Sequence, residues 1–206
     1  AVPVGEVLRR PHVRALLAAC FAMSVAHGAL YIFYSIHLAE NGYGNTVIGA
    51  LWSLGVLAEI ILFLFMSRLM KRFSLRAILL ASFAAAVVRF LMIGWAVDSL
   101  FLVIVAQLLH GLTFGTYHAA AIAAINRWFA GRSQARGQAL YSSLSFGAGG
   151  LLGGLFSGWS WGALGASITF SVSSVCALVG LWLVWQWVRE PDESAATPSC
   201  GTASRS

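Results

Sequence analysis

Six long apolar runs, separated by short polar or glycine-containing breaks, occupy most of the 206-residue chain. A helix needs about 20 mainly apolar residues to cross the hydrocarbon core of a bilayer, and each of these runs is long enough. A membrane-spanning β-strand is shorter and alternates apolar with polar positions, whereas these runs are continuous. The pattern therefore predicts an all-α integral membrane protein whose six transmembrane helices lie at about residues 14–38, 46–67, 76–97, 100–125, 138–158 and 163–187.

The basic residues predict how these six helices are oriented. Twelve of the 13 Lys and Arg residues form four clusters, separated by pairs of predicted crossings: Arg9, Arg10 and Arg14; Arg68, Lys71, Arg72 and Arg76; Arg127, Arg132 and Arg136; and Arg189 with Arg205. Short loops rich in Lys and Arg stay in the cytoplasm. Both termini are therefore predicted to be cytoplasmic, and the turns at 41–45, 98–99 and 158–162 are predicted to lie outside.

The composition agrees with a membrane protein and accounts for the basic net charge. The chain is 59% hydrophobic and 10% charged, whereas soluble domains are about 25% charged. The positive charge then orients helices and meets anionic lipid headgroups, so no nucleic-acid partner is expected. Residues 1–13 are predicted to be a cytoplasmic linker. Residues 189–206, which are small, polar and low in aromatic residues, are predicted to be a disordered cytoplasmic tail.

One basic residue, Arg89, lies inside an apolar run, and Glu59 lies inside the run before it. Ionisable residues at membrane depth are costly, so each is a candidate for function. Helical rise places Glu59 roughly 13 Å and Arg89 roughly 20 Å above the cytoplasmic edge, and a short loop joins their helices. We expect a Glu59–Arg89 charge pair. It is either a structural link between the second and third helices or a proton-coupling device with Arg89 as the switchable counter-charge.

The fourth crossing carries a polar and aromatic stripe, made of Gln107, His110, Phe114 and His118. Steps of three and four residues put all four on one helix face. Such a face cannot meet lipid cheaply, so the stripe is predicted to line a cavity. A hydrogen bond between helices is the alternative explanation for each single histidine.

Other crossings add aromatic and polar side chains of similar character. They are His27, Tyr31 and Tyr34 in the first crossing, Trp52 in the second, and Tyr141 and Ser145 in the fifth. Aromatic rings that carry an OH or NH group suit an aromatic or amphipathic ligand, although core packing explains each of them taken alone. The cysteine spacing predicts no metal site or disulfide, and no cofactor is expected.

Glycine patterns point to close helix packing and to an internal repeat. In the fifth crossing, glycines recur every four residues, at Gly150, Gly154 and Gly158, and Gly149 and Gly153 lie beside them. A shared glycine face lets another helix approach closely, either for packing alone or as a sliding or gating surface. His27-Gly28 in the first crossing is echoed by His110-Gly111 in the fourth. Inverted three-helix repeats of this kind are typical of secondary transporters.

Four stretches of the chain carry a resemblance to a known family: 49–59 (GALWSLGVLAE), 86–90 (AVVRF), 107–114 (QLLHGLTF) and 138–142 (QALYS). Together they resemble the C-terminal half of the phenylpropionic acid transporter family, within the major facilitator superfamily. The similarity extends over about residues 12–188. The loop 67–76 (SRLMKRFSLR) is similar to a degenerate copy of the superfamily's loop motif and lacks its usual Gly and Asp.

The resemblance implies that these crossings are helices seven to twelve of a longer protein whose N-terminal six-helix half is missing here. A chain that starts with Ala1 rather than Met fits this expectation. The resemblance also implies that the first, second, fourth and fifth crossings line the cavity. The expected function is proton symport of a small organic acid, such as phenylpropionate, across a bacterial inner membrane. Arg89 or a protonated histidine would bind the carboxylate, and no enzyme activity is expected.

Three other functions fit parts of the sequence. His27, His110 or His118 would serve as ligands in a membrane haem or quinone protein, but His110 and His118 are not spaced as two axial ligands of one haem. Ser160 would be the nucleophile of an intramembrane protease, but it lacks a nearby histidine. A structural six-helix protein without transport, or a half-transporter that dimerises, is the remaining alternative.

Overall fold

The structure is a computed structural model that describes residues 3–189, and this range is helical apart from short connections. A short helix, α1 (Val4–Arg9), comes first. Within the described range, six further helices are long and apolar enough to cross a membrane: α2 (Pro11–Glu40), α3 (Asn45–Arg72), α4 (Leu75–Trp95), α5 (Leu100–Trp128), α6 (Gly131–Leu164) and α7 (Ala166–Trp187). The prediction of an all-α protein with six crossings is confirmed.

The helix ends differ from the predicted ones at the start of the chain. α1 and the start of α2 occupy residues that were predicted to form a linker. α2 begins at Pro11. Proline suits the first turn of a helix because N–H groups there have no acceptor within the helix, so the lack of an N–H costs no hydrogen bond. The predicted disordered tail falls almost wholly on residues 190–206, which lie outside the described residues.

The predicted turn at 158–162 is wrong. α6 continues through it to Leu164, and the chain turns at Gly165, whose φ is +82°. Glycine adopts this left-handed conformation without the steric cost that other residues meet. Trp161 stacks on Phe33 of α2 with ring centroids 4.5 Å apart. This part of α6 is therefore packed against the bundle, and a turn here would break that contact.

Two of the six helices change to π-helical geometry partway along. The π segments are Gly111–Thr116 in α5 and Ser143–Gly149 in α6. Such segments bond residue i to i+5, are rare, and often occur at functional sites. Each segment rotates the residues that follow it, so a uniform period of 3.6 residues does not describe either helix.

The two triplets, α2–α4 and α5–α7, interleave. α2 packs mainly on α6 and α7, α5 packs on α3 and α4, and α4 packs along α7. If the two triplets are exchanged, so that α2, α3 and α4 take the places of α5, α6 and α7, the same set of contacts results. This is the arrangement expected of inverted three-helix repeats. α3 and α4 make little contact with each other, although only a short loop joins them.

Glycines bring helices of opposite triplets together. A Cβ added to Gly153 in α6 would lie 2.8 Å from the Cα and carbonyl oxygen of Val25 in α2, and one added to Gly28 would meet the backbone of Gly153. These two glycines form one close contact, between α2 and α6. A second close contact joins α5 to α3, where a Cβ on Gly111 would lie 2.8 Å from the backbone carbonyl of Ala58. Gly28 and Gly111 belong to the two echoed His-Gly pairs, so the echo marks equivalent helix contacts.

The glycine face of α6 is not the predicted one. A Cβ on Gly150 or Gly158 would have no neighbour within 4 Å, and one on Gly154 would meet the end of the Ile32 side chain. The contact with α2 is made instead by Gly149 and Gly153. The π segment that ends at Gly149 turns this face of α6 towards α2, which spacing in the sequence does not reveal.

Candidate substrate groove

Phe114, in the π segment of α5, lies at the centre of a cluster of aromatic rings. The rings of His27 and Tyr31 in α2 have centroids 6.3 and 6.4 Å from it. His110 and His118 of α5 flank it at 5.3 and 4.5 Å. Five of the predicted cavity residues therefore meet at one place, between the first helices of the two triplets.

A groove lies beside this cluster, between α2, α5 and α6. Four residues of the cluster line it, and so do five others: His27, Tyr31, Phe114 and His118, with Met23, Ser24, Tyr117, Ser145 and Phe146. The side chains of Tyr31 and Phe146 are 53% and 55% exposed, so the groove is open on one side. Its free volume within this chain is about 30 Å³. Aromatic walls with a few polar groups are typical of a site for a small organic ligand.

Phe146 is a groove residue that the sequence did not predict. Its ring stacks on His118 at 5.1 Å and lies 6.2 Å from the ring of Tyr141. Phe146 and Tyr141 are five residues apart, and α-helical spacing does not put such a pair on one face. The π segment of α6 does so because its repeat is longer.

Two buried polar atoms of the groove have no hydrogen-bond partner among residues 3–189. His27 Nδ1 lies 2.8 Å from the carbonyl oxygen of Met23, while His27 Nε2 and Ser145 Oγ are unpaired. His27 is 4% exposed and Ser145 is 1% exposed. Buried polar groups are usually paired, so these two atoms are where a ligand gains most from a hydrogen bond.

The end of the groove nearer the connection between α5 and α6 is held by tyrosines. Tyr141 Oη and His118 Nδ1 share a hydrogen bond of 2.6 Å, and Tyr117 Oη donates to the carbonyl oxygen of Cys20 at 3.4 Å. Tyr141 is buried behind His118 and does not line the groove. Its role in the structure is to fix the ring of His118.

Arg89 is fully buried, and α5 supplies its three hydrogen-bond acceptors. Its Nε donates to the carbonyl oxygen of Ala106 at 2.8 Å, and its terminal nitrogens donate to Thr113 Oγ1 at 3.2 Å and Gln107 Oε1 at 3.0 Å. Gln107 Nε2 then donates to the carbonyl oxygen of Leu51 in α3 at 2.9 Å. The two side chains thus connect α4, α5 and α3, and neither lines the groove.

The predicted Glu59–Arg89 charge pair is wrong. Among residues 3–189, the group placed to form an ion pair with Glu59 is His110, whose Nε2 lies 3.8 Å from Glu59 Oε2; the pair is ionic only when the imidazole is protonated. The reason is the packing, since α4 turns Arg89 towards α5 and makes little contact with α3. The Glu59 side chain is 18% exposed, and it lies beside Gly115, where an added Cβ would come within 3.0 Å of its Cγ.

Tyr34 and Trp52 form a separate aromatic pair. Their ring centroids are 5.3 Å apart in an edge-to-face arrangement, and Trp52 Nε1 donates to Ser35 Oγ at 2.9 Å. Neither residue lines the groove. The pair connects the C-terminal half of α2 to the N-terminal half of α3, so the predicted cavity residues divide between the groove and its supports.

The residues behind two of the alternative functions have other partners. Ser160 is buried, and its hydroxyl lies 2.9 Å from Thr169 Oγ1, with no histidine bonded to it. His27 and His118 use their Nδ1 atoms for Met23 and Tyr141. In the part of the chain that the structure describes, no group of three His, Cys, Asp or Glu side chains is placed to hold a metal ion.

Comparison with known proteins identifies similar chains. The MFS_1 like family matches residues 3–172. A protein of Escherichia coli (strain K12), named "Probable 3-phenylpropionic acid transporter", is 36% identical over 179 residues. The alignment covers 85% of this chain and 45% of that protein, so the chain spans less than half the length of this relative. No solved structure matches the chain. The resemblance found in the sequence is confirmed.

Proposed function

Because the chain belongs to the MFS_1 like family, we propose that it forms one six-helix half of a secondary active transporter. The transporter carries a small organic acid, such as phenylpropionate, together with a proton across a bacterial inner membrane, and both ends of this chain are cytoplasmic. The name of the Escherichia coli relative supports the substrate class. The basic clusters support the orientation.

The observation that carries this proposal is the position of the groove. It lies between α2 and α5, the first helices of the two interleaved triplets, and its aromatic cluster bridges them through Phe114. Secondary transporters bind substrates near the midplane at the interface of such repeats. The open side of the groove, marked by Tyr31 and Phe146, would face the partner half of the transporter.

The proton site we propose is the Glu59–His110 pair. A carboxylate and an imidazole 3.8 Å apart interact strongly only when the imidazole is protonated and the carboxylate is not. His110 also stacks on Phe114 in the aromatic cluster. Protonation of the pair would therefore change the position of a ring at the groove, which couples the proton to the substrate. Arg89 braces the helices behind this pair.

Glu59→Gln tests the proton site, with Glu40→Gln as the matched control because Glu40 is exposed at the end of α2. In cells that express the complete reading frame, uptake of labelled phenylpropionate should fall when a protonophore removes the proton gradient. Glu59→Gln should abolish this dependence on the gradient and keep exchange of internal for external substrate, because exchange needs no net proton movement. Glu40→Gln should behave as wild type.

Two results would count against the proposal. Unchanged proton dependence in Glu59→Gln would remove Glu59 from the coupling mechanism. An absence of uptake for all small aromatic acids in the wild type would remove the substrate class.

A further inference from the structure

The two unpaired polar atoms in the groove define the chemistry of a ligand group. His27 Nδ1 faces a backbone carbonyl oxygen, which only accepts hydrogen bonds, so Nδ1 carries a hydrogen. In the uncharged ring, Nε2 then presents a lone pair. Ser145 Oγ, the second unpaired atom, both donates and accepts.

His27 rests in the uncharged form because nothing nearby compensates a charge. A buried charge is costly unless it is paired. Among residues 3–189, the ion pair that involves a histidine joins His110 to Glu59, and none reaches His27. The rings that surround His27 are Tyr31, Phe90 and Phe114. Its Nε2 is therefore an acceptor that needs a donor.

A ligand hydroxyl has the chemistry that both atoms need: its O–H can donate to His27 Nε2, and its oxygen can accept from the Ser145 hydroxyl. A carboxylate cannot do this, because it accepts only and would face the lone pair of Nε2. The free volume of the whole groove within this chain, about 30 Å³, is the size of one water molecule, so the ring of the ligand must extend through the open side marked by Tyr31 and Phe146.

We propose that this groove binds the hydroxyl group of a hydroxylated aromatic acid, through His27 Nε2 and Ser145 Oγ, with the ring against Phe114 and Phe146. The proposal rests on the transport function above and narrows its substrate class. The groove lining contains no Lys or Arg, and Arg89 is occupied by α5. The carboxylate therefore points away from this pocket, through the open side.

Equilibrium binding tests the proposal on the protein purified from its complete reading frame in lipid nanodiscs. Three phenylpropionic acids would be compared that differ at one ring position, carrying hydrogen, hydroxyl or methoxy. The methoxy compound keeps an oxygen and removes the donor. The hydroxyl compound should bind about tenfold more tightly than the methoxy compound, the value of one buried hydrogen bond.

His27→Phe and Ser145→Ala locate the preference, and Ser157→Ala is the control. Ser157 lies on the same helix, but its hydroxyl is bound to the Gly153 carbonyl oxygen and is outside the groove. His27→Phe should reduce the preference for the hydroxyl over the methoxy compound to about twofold or less. Ser145→Ala should reduce this preference partly, and Ser157→Ala should leave it intact. If His27→Phe does not fold, the wild-type ligand series and Ser145→Ala still decide the question.

Several outcomes would overturn the hydroxyl site. One is that the wild-type protein binds the hydroxyl and methoxy compounds equally tightly. Another is that the preference for the hydroxyl compound survives both His27→Phe and Ser145→Ala. The last is that His27→Phe weakens the binding of all three ligands equally. The last would mean that the undissociated carboxyl group is the donor. Uptake measured in parallel separates the two proposals: selective binding without uptake refutes transport alone, and uptake without selectivity refutes the hydroxyl site alone.

Discussion

Replacing Gly153 with alanine places a methyl group against the backbone of α2. The added Cβ would lie 2.8 Å from the Cα and carbonyl oxygen of Val25, whereas ordinary contacts of a Cβ begin at 3.4 Å. The two helices must therefore separate locally by about 0.6 Å (3.4 minus 2.8), because backbone cannot rotate aside as a side chain can. Overpacking of this kind costs about 1–3 kcal/mol.

Gly150→Ala is the matched control on the same helix, because a Cβ there has no neighbour within 4 Å. It should change the free energy of unfolding by less than about 0.5 kcal/mol. Unfolding in mixed micelles of mild detergent and sodium dodecyl sulfate, followed by tryptophan fluorescence, measures both variants. Equal stability of the two variants, or a larger loss in Gly150→Ala, would refute the assignment of the contact to Gly153.

Two further predictions use the same unfolding assay. Arg89→Lys should lower the free energy of unfolding by about 2 kcal/mol, because one ammonium group cannot reach the three separate acceptors of the guanidinium. Arg68→Lys at an exposed position of α3 is its control, and a similar change in both would contradict the prediction. Trp161→Ala should cost about 3 kcal/mol through loss of the stack on Phe33, whereas Trp159→Ala, whose side chain is 61% exposed, should cost far less. A larger loss of stability in Trp159→Ala than in Trp161→Ala would favour the predicted turn at 158–162 over the continuous helix.

The sequence predicted the number of crossings well because each crossing depends on local composition. An apolar run is long enough to span a bilayer whatever it packs against. The groove residues of α2 and α5 were predicted for a related reason, since a polar stripe must turn away from lipid. Phe114 and His118 were found by this argument and His27 by its ligand-binding character, and the structure brings the three together.

The partner of Arg89 was not predictable in the same way. Counting residues gives the depth of a side chain in the membrane, but not the direction in which its helix face points. Glu59 and Arg89 are close in depth, yet the Arg89 side chain of α4 points to α5. Glu59 lies beside His110 instead. Phe146 was missed for a second reason, the π segment of α6, which changes the helical repeat without a signal in the residue pattern.

The hydrogen bonds of Arg89 also set an order for the biogenesis of the protein. All three acceptors belong to α5, and the first of them, Ala106, is 17 residues later in the chain. At about 5–20 residues per second of synthesis, α4 exists for a second or more while its cation has no partner. An unpartnered arginine costs about 2.5–3.5 kcal/mol at the centre of an inserting helix. The third crossing therefore becomes more stable in the membrane when the fourth follows it, which favours insertion of the two as a hairpin.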